Sequence, residues 1–152
     1  MTHINIRRAI EEDYSRLIEI EKASFDSNLI ALEDLYGYDP FLLEVNNIIV
    51  GFYISYYLEE DLSYYLETIE IDPNYRSNGY SKLLLNHYIK NSKGPCSLHC
   101  HIDNSIALAL YTSNGFHIIG MEDNFYDEGE SAYFLRRSLN EDQNKSDIRQ
   151  YV

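Results

Sequence analysis

The chain has 152 residues, 45% hydrophobic and 24% charged, which is the size and make-up of one soluble domain that buries a core without disulfides or metal. Acids outnumber bases 25 to 12 for a formal charge of −13, which argues against nucleic acid or an anionic membrane as partner. No apolar run approaches the ~20 residues of a membrane span, and the start, Met-Thr-His-Ile-Asn-Ile-Arg-Arg, has no apolar h-region, so a cytoplasmic protein is expected.

Residues 4–8 read as a first strand. Asp13 is placed to cap a helix whose apolar positions Tyr14, Leu17, Ile18, Ile20 and Ala23 recur near every 3.6 residues. A second, weaker helix is expected over 29–38, ending near Gly37 and Pro40. Strands 41–45 and 48–58 flank Asn46-Asn47, a hairpin turn. Glu59-Glu60-Asp61 makes the next turn, and strand 64–71 follows, ended by Asp72-Pro73-Asn74 because proline cannot continue the ladder. The stretch 81–92 is helical, with Leu84, Leu85, Tyr88 and Ile89 on one side, and Lys93-Gly94-Pro95 breaks it before strand 96–102. Asp103 or Asn104 caps a further helix through Ala107, Leu108 and Tyr111, which stops at Asn114-Gly115. Strands 116–121 and 132–139 are joined by an acidic loop, and residues 140–152 form a polar tail. This order predicts an α/β (α+β) class: one domain over 1–139, a mixed and mostly antiparallel sheet, and helices on both faces.

The charge is unevenly spread. From Ala23 to Tyr75 there are 11 acids and no Lys or Arg, and from Gly94 to Leu135 six acids and again no base. Between them, 76–93 carries Arg76, Lys82, Lys90 and Lys93 and no acid. This block is either a solvated helix face or an anion site facing a cationic substrate; charge alone leaves both open. Cys96 and Cys100 lie roughly 13 Å apart along a strand, too far for a disulfide. The 15 tyrosines, five of them between Tyr53 and Tyr65, are expected to line the core and a peptide cleft.

The segment 69–84 is strand, turn and helix start, a geometry that points backbone N–H groups and the positive helix end at an anion. It lacks the Walker A pattern and has a single glycine, so it is neither a P-loop nor a Rossmann turn. Arg76-x-x-Gly79-x-Ser81 resembles the acyl-CoA loop of the GNAT superfamily of N-acetyltransferases, Gln/Arg-x-x-Gly-x-Gly/Ala, with Ser81 where glycine or alanine is usual. Asn104-x-x-Ala107-x-x-x-Tyr111-x-x-x-Gly115-Phe116 resembles a second motif of that superfamily. Seven residues are about two helical turns, so Asn104 and Tyr111 share a face. Asn124-Phe-Tyr126, with Ala132 after Gly129, Glu130 and Ser131, is similar to the closing motif of RimI-like protein N-terminal acetyltransferases.

The resemblance implies acetyl-CoA as co-substrate, no metal, and transfer of acetyl to a primary amine by direct attack in a ternary complex. The implied acceptor is the α-amine of a basic protein or peptide. Implied CoA contacts are Ile69, Glu70 and Ile71, whose backbone N–H groups meet the developing oxyanion, then Arg76, Ser77, Asn78, Gly79, Tyr80, Ser81 and Lys82, with Asn104 and Tyr111. Tyr111 stands where the family has its general acid, and Phe25 and Tyr126 are implied on the acceptor side. An α-amine of pKa ~8 is mostly protonated at neutral pH, so a base is needed. RimI enzymes carry Glu five residues before the motif's Asn, where this chain has His99. Another branch has His there, paired through water with a tyrosine that falls on Tyr65, eleven residues before Arg76. Glu67, two residues along the strand from Tyr65, is the reserve base. His99 and His101 also share a strand face, but Cys96 and Cys100 face away, so no three metal ligands converge. The rival readings are transfer to a small cationic amine, such as a polyamine or aminoglycoside, and a non-catalytic acyl-CoA-binding module. A monomer or homodimer is expected.

Overall fold

The computed structural model describes residues 1–24, 32–126 and 129–138. Its elements are β1 (Ile4–Arg8), α1 (Tyr14–Ser24), α2 (Leu32–Tyr38), β2 (Phe41–Val45), β3 (Ile48–Leu58), β4 (Ser63–Ile71), α3 (Tyr80–Asn91), β5 (Cys96–His101), α4 (Ser105–Ser113), β6 (His117–Glu122) and β7 (Ala132–Arg137). These follow the expected order, with ends displaced by a residue or two. Residues 29–31 of the second helix, Leu139 and the polar tail lie outside the described residues. No helix among those described is long and apolar enough to cross a membrane. The chain forms two compact units, Met1–Tyr56 with Leu66–Asn91, and Tyr57–Tyr65 with the chain from Ser92 onward. β4 gives its beginning to the second and its end to the first.

In the first unit the strands lie in the order β1-β2-β3-β4. β1 and β2 are antiparallel, Ile4 opposite Val45 through to Arg8 opposite Phe41, and β2 pairs antiparallel with β3 across a bulge at Leu43/Glu44. The turn between them has Asn46 at φ +51 and Asn47 at φ +67, the two left-handed residues of a type I′ hairpin, a conformation asparagine tolerates. Leu17 and Ile20 of α1 pack with Leu35, Leu42, Phe52 and Ile54, all at least 99% buried. Gly51 lets β4 come close: a Cβ there would lie 2.6 Å from Ile71 Cδ1 and 2.7 Å from the Glu70 carbonyl.

Asp13 corrects one expectation. It closes a 3₁₀ turn, Glu11–Asp13, whose N-cap position is Ile10, and its carboxylate accepts the Ile10 N–H at 2.9 Å. Arg7 draws it there with a two-pronged pair, Nη1 to Oδ2 at 2.7 Å and Nη2 to Oδ1 at 3.2 Å, while Arg7 Nε donates to Glu44. That pairing holds the Asp13 carboxyl below its ordinary range. Arg16 does similar work at the other end of the unit. It donates to the Ile49 carbonyl and to Asp72 Oδ2 at 2.6 Å, and Asp72 in turn accepts the Asn74 N–H at 2.9 Å. The turn that leads out of β4 is therefore pinned to α1.

Glu70 is buried, and neither of its carboxyl oxygens has a hydrogen-bond partner of good geometry, although Thr68 lies near enough to ease the burial. Burial, reinforced by the neighbouring Glu21 and only partly offset by Thr68, pushes its carboxyl up to about 8. Folded, Glu70 keeps a proton at neutral pH that the unfolded chain releases near 4.5. The folded pKa is the higher one, so the stability tied to that proton is full below the unfolded value and is lost as pH rises toward about 8. Glu70→Gln cannot ionise. Between about pH 5 and pH 8.5 its stability relative to the wild type is expected to improve by on the order of 3 kcal/mol. Thermal melts of both proteins across that range check this, and parallel curves would refute it.

In the second unit the order is β4-β5-β7-β6. The Tyr64 N–H donates to the Pro95 carbonyl at 2.8 Å, and the Ser63 and Ser97 hydroxyls meet at 2.6 Å, joining the starts of β4 and β5. β7 pairs antiparallel with both neighbours: Phe134 lies opposite His99, and Ala132 opposite His101 on one side and Glu122 on the other. A register shift between Ile118 and Gly120 sets the second pairing. In β5 Cys96, Leu98 and Cys100 are buried on one face, and on the other Ser97 is buried while His99 and His101 are half-buried.

Candidate active site

The loop that leads into α3 has the form of an anion cradle. Ser77 stands at φ +66 and Gly79 at φ +78, so the backbone turns twice through the left-handed region before α3 begins. The Asn78 amide donates to the Tyr75 carbonyl at 2.9 Å and the Arg76 carbonyl at 3.1 Å. Two loop acceptors are thereby occupied, while the first-turn N–H groups of Tyr80, Ser81 and Lys82 have no acceptor within the helix. A Cβ at Gly79 would meet nothing within 4 Å, so the ground over the loop is open. Arg76 Nη2 reaches Ser24 Oγ at 3.4 Å. The donors and the space both fit a phosphate group of CoA.

In the second unit β5 presents His99 and His101 on one face, and each ring is held by a carboxylate. Tyr65 Oη lies 2.7 Å from His99 Nδ1, and Glu122 Oε1 lies 3.0 Å from Nε2. Phe125 stacks on the His99 ring, centroids 3.9 Å apart and planes 13° apart, with Phe134 at 4.9 Å. Tyr65 and His99 are thus joined directly, which corrects the expected water bridge: 2.7 Å leaves no space for one. His101 has Glu130 at 2.9 Å on Nε2, accepts the Asp103 N–H on Nδ1 at 3.0 Å, and stacks with Tyr126 at 5.5 Å.

Asn104 rather than Asp103 caps α4, its carboxamide oxygen accepting the Ala107 N–H at 3.1 Å. Tyr111 packs edge-on against Phe116 at 6.0 Å. Burial, with Cys100 and Tyr126 nearby, pushes its phenol well above the ordinary value. Burial, with Cys100 and Glu130 nearby, pushes Tyr126 up to about 12. Both cysteines are buried free thiols, and burial pushes Cys100 up to about 11. Among the described residues no three His, Cys, Asp or Glu side chains group to hold a metal.

Of the two candidate bases, His99 is enclosed and Glu67 is exposed, where it accepts the Tyr56 hydroxyl at 2.9 Å. Phe25 lies outside the described residues. Phe125 and Glu130 lie in the closing motif without a role assigned to them, and Glu122 was not anticipated, because nothing in the sequence marks a carboxylate that reaches across a neighbouring strand.

The fold is one that solved acetyltransferases share. The ribosomal-protein-S18-alanine N-acetyltransferase from Escherichia coli superposes with a TM-score of 0.78 at 23% identity, covering 90% of this chain and 94% of that one. Arabidopsis thaliana Naa50, in complex with the bisubstrate analogue CoA-Ac-MVNAL, gives 0.75 at 21% identity, covering 89% and 98%. The sequence matches the acetyltransferase (GNAT) family over residues 5–116, and the chain belongs to that family. A [ribosomal protein bS18]-alanine N-acetyltransferase of Haemophilus ducreyi is 30% identical over 130 residues, 80% of this chain and 88% of that protein. The N-alpha-acetyltransferase RimI of Mycobacterium tuberculosis is 37% identical over 76 residues, 49% of this chain, and the match spans only 48% of its length.

Proposed function

We propose that this chain transfers the acetyl group of acetyl-CoA to the α-amine of a protein or peptide N-terminus, in the cytoplasm. Family membership supports the reaction class, and relatives named for N-terminal alanine acetylation support the acceptor. The observation that carries the chemistry is the direct Tyr65–His99 hydrogen bond at 2.7 Å, which joins the two residues implied as the base.

Acetyl-CoA, when bound, supplies the activated acyl group. Ser77 to Lys82 and Arg76 hold its phosphates through backbone N–H groups and one guanidinium. Backbone N–H groups from Ile69 to Ile71 offer donors to the developing oxyanion. The Tyr65–His99 pair accepts the proton that an ammonium must lose before it can attack, since a neutral imidazole is a competent base at pH 7. Tyr111, held in its protonated form by burial, keeps a proton for the departing sulfur. Tyr126 lines the acceptor side, and the 25 acids of the chain favour a cationic acceptor.

Thiol release from acetyl-CoA with N-terminal peptides and with polyamines tests the reading. Peptides are expected to be acetylated at the higher kcat/KM. Turnover on polyamines alone, or CoA binding without turnover, would overturn it. His99→Gln is expected to lose about 10²-fold or more in kcat, the usual worth of a general base. If Glu67→Gln fails instead and His99→Gln is normal, Glu67 is the base.

A further inference from the structure

His99 is fixed more tightly than a base held by one tyrosine needs to be. Tyr65 takes one ring nitrogen, Glu122 the other, and Phe125 lies over a face; the side chain is 11% exposed. Glu122 belongs to β6, two strands from β5, and it reaches His99 past β7 at the position where its opposite residue is the small Ala132. A carboxylate has no proton to give, so the ring nitrogen that faces it carries the hydrogen. A neutral imidazole has only one, which leaves Nδ1 bare toward Tyr65.

We propose that Glu122 is a positioning residue: it fixes His99 with its proton on Nε2, so that Nδ1 is the basic atom of the Tyr65–His99 pair. The proposal rests on the reading of that pair as the proton acceptor. One proton leaves the ammonium nitrogen, which keeps the electron pair of that N–H bond, for the Tyr65 oxygen, while the Tyr65 hydroxyl proton passes along the 2.7 Å hydrogen bond to Nδ1. The ring becomes an imidazolium whose Nε2–H faces the Glu122 carboxylate, a charge-assisted hydrogen bond stronger than the one before transfer. Glu122 therefore favours the state after transfer over the state before it.

His101 shows why the neighbouring histidine is not the base. Glu130 fixes it in the same way, but its Nδ1 already accepts the Asp103 N–H at 3.0 Å. The partner on that nitrogen is a backbone amide, which cannot pass a proton on, whereas the partner of His99 Nδ1 is the Tyr65 hydroxyl, which can. An exposed ion pair is worth little to stability, and Glu122, at 55% exposure, acts here through orientation and charge.

The test uses the full chain with 15N-labelled histidine. NMR of the neutral ring is expected to show the Nε2–H form of His99 in the wild type and a mixture of tautomers in Glu122→Ala. In the same variant kcat for peptide acetylation is expected to fall about tenfold or more, part of the range for a general base, with KM for acetyl-CoA unchanged. Glu122→Gln, whose amide oxygen still accepts the N–H, is expected to restore the tautomer and part of the rate. A single Nε2–H form in Glu122→Ala, or a mixture with wild-type kcat, would overturn the proposal. His99→Gln separates the two readings: if that variant turns over normally the pair is not the acceptor, whereas the tautomer is read without any turnover.

Discussion

Tyr111→Phe is expected to lower kcat by about 10²-fold or more, the scale of a lost general acid, while CoA binding and folding change little. The substitution keeps the ring that packs edge-on against Phe116 and removes only the hydroxyl. A phenol pushed above its ordinary value is a reluctant acid, and a thiolate in water, with a conjugate acid near ~8.5, would be too weak a base to draw its proton. The surroundings narrow that gap. Cys100, close enough to raise Tyr111, is itself pushed up to about 11 by burial. A sulfur anion in such surroundings is more basic than in water, because the same desolvation penalises both anions. Tyr111 therefore keeps its proton at neutral pH, and in the proposed role would give it to the departing sulfur. Steady-state kinetics on a peptide acceptor, with CoA affinity measured by calorimetry, check this. Near-normal turnover in a variant that binds CoA would reduce Tyr111 to a packing residue.

Local chemistry made most of the fold legible. Asn46-Asn47 marked the hairpin because left-handed residues suit the turn that matches strand twist. Asp72-Pro73 marked the end of β4, and Asn114-Gly115 the end of α4. What the sequence could not show depends on contacts across the chain. Asp13 looks like an N-cap from its neighbours alone, yet Arg7 pulls its carboxylate back onto the Ile10 N–H. Glu70 draws attention in the sequence only for its backbone N–H, yet its carboxyl is buried beside Glu21. The His99–Glu122 contact is the clearest case. It requires two strand registers, one of them set by the shift between Ile118 and Gly120, and a slip of one residue would turn Glu122 to the other face. Counting from the motifs picks out Tyr65 and His99, which the fold joins by a hydrogen bond, while the carboxylate on the other ring nitrogen lies at the start of what reads as an ordinary acidic loop.

Gly79→Asp is expected to weaken CoA binding, and Gly79→Asn is the control that shows why. At φ +78 any side chain is strained, by about 1–2 kcal/mol for most residues and less for Asn and Asp, which visit that region more readily. Neither side chain clashes at its first atom, since a Cβ there meets nothing within 4 Å. Both variants are expected to fold, and they differ only in charge. The Asp carboxylate would stand over the N-terminal end of α3, beside amides that otherwise serve a phosphate. Two like charges about 4 Å apart near a protein surface repel by up to about 4 kcal/mol before salt screening, and each 1.4 kcal/mol is tenfold in affinity. Calorimetry is thus expected to show CoA bound at least about tenfold more weakly by the Asp variant than by the Asn variant, with the gap shrinking as salt is raised. Equal affinities would mean that the phosphates lie elsewhere and that the cationic stretch from Arg76 to Lys93 is only a solvated helix face.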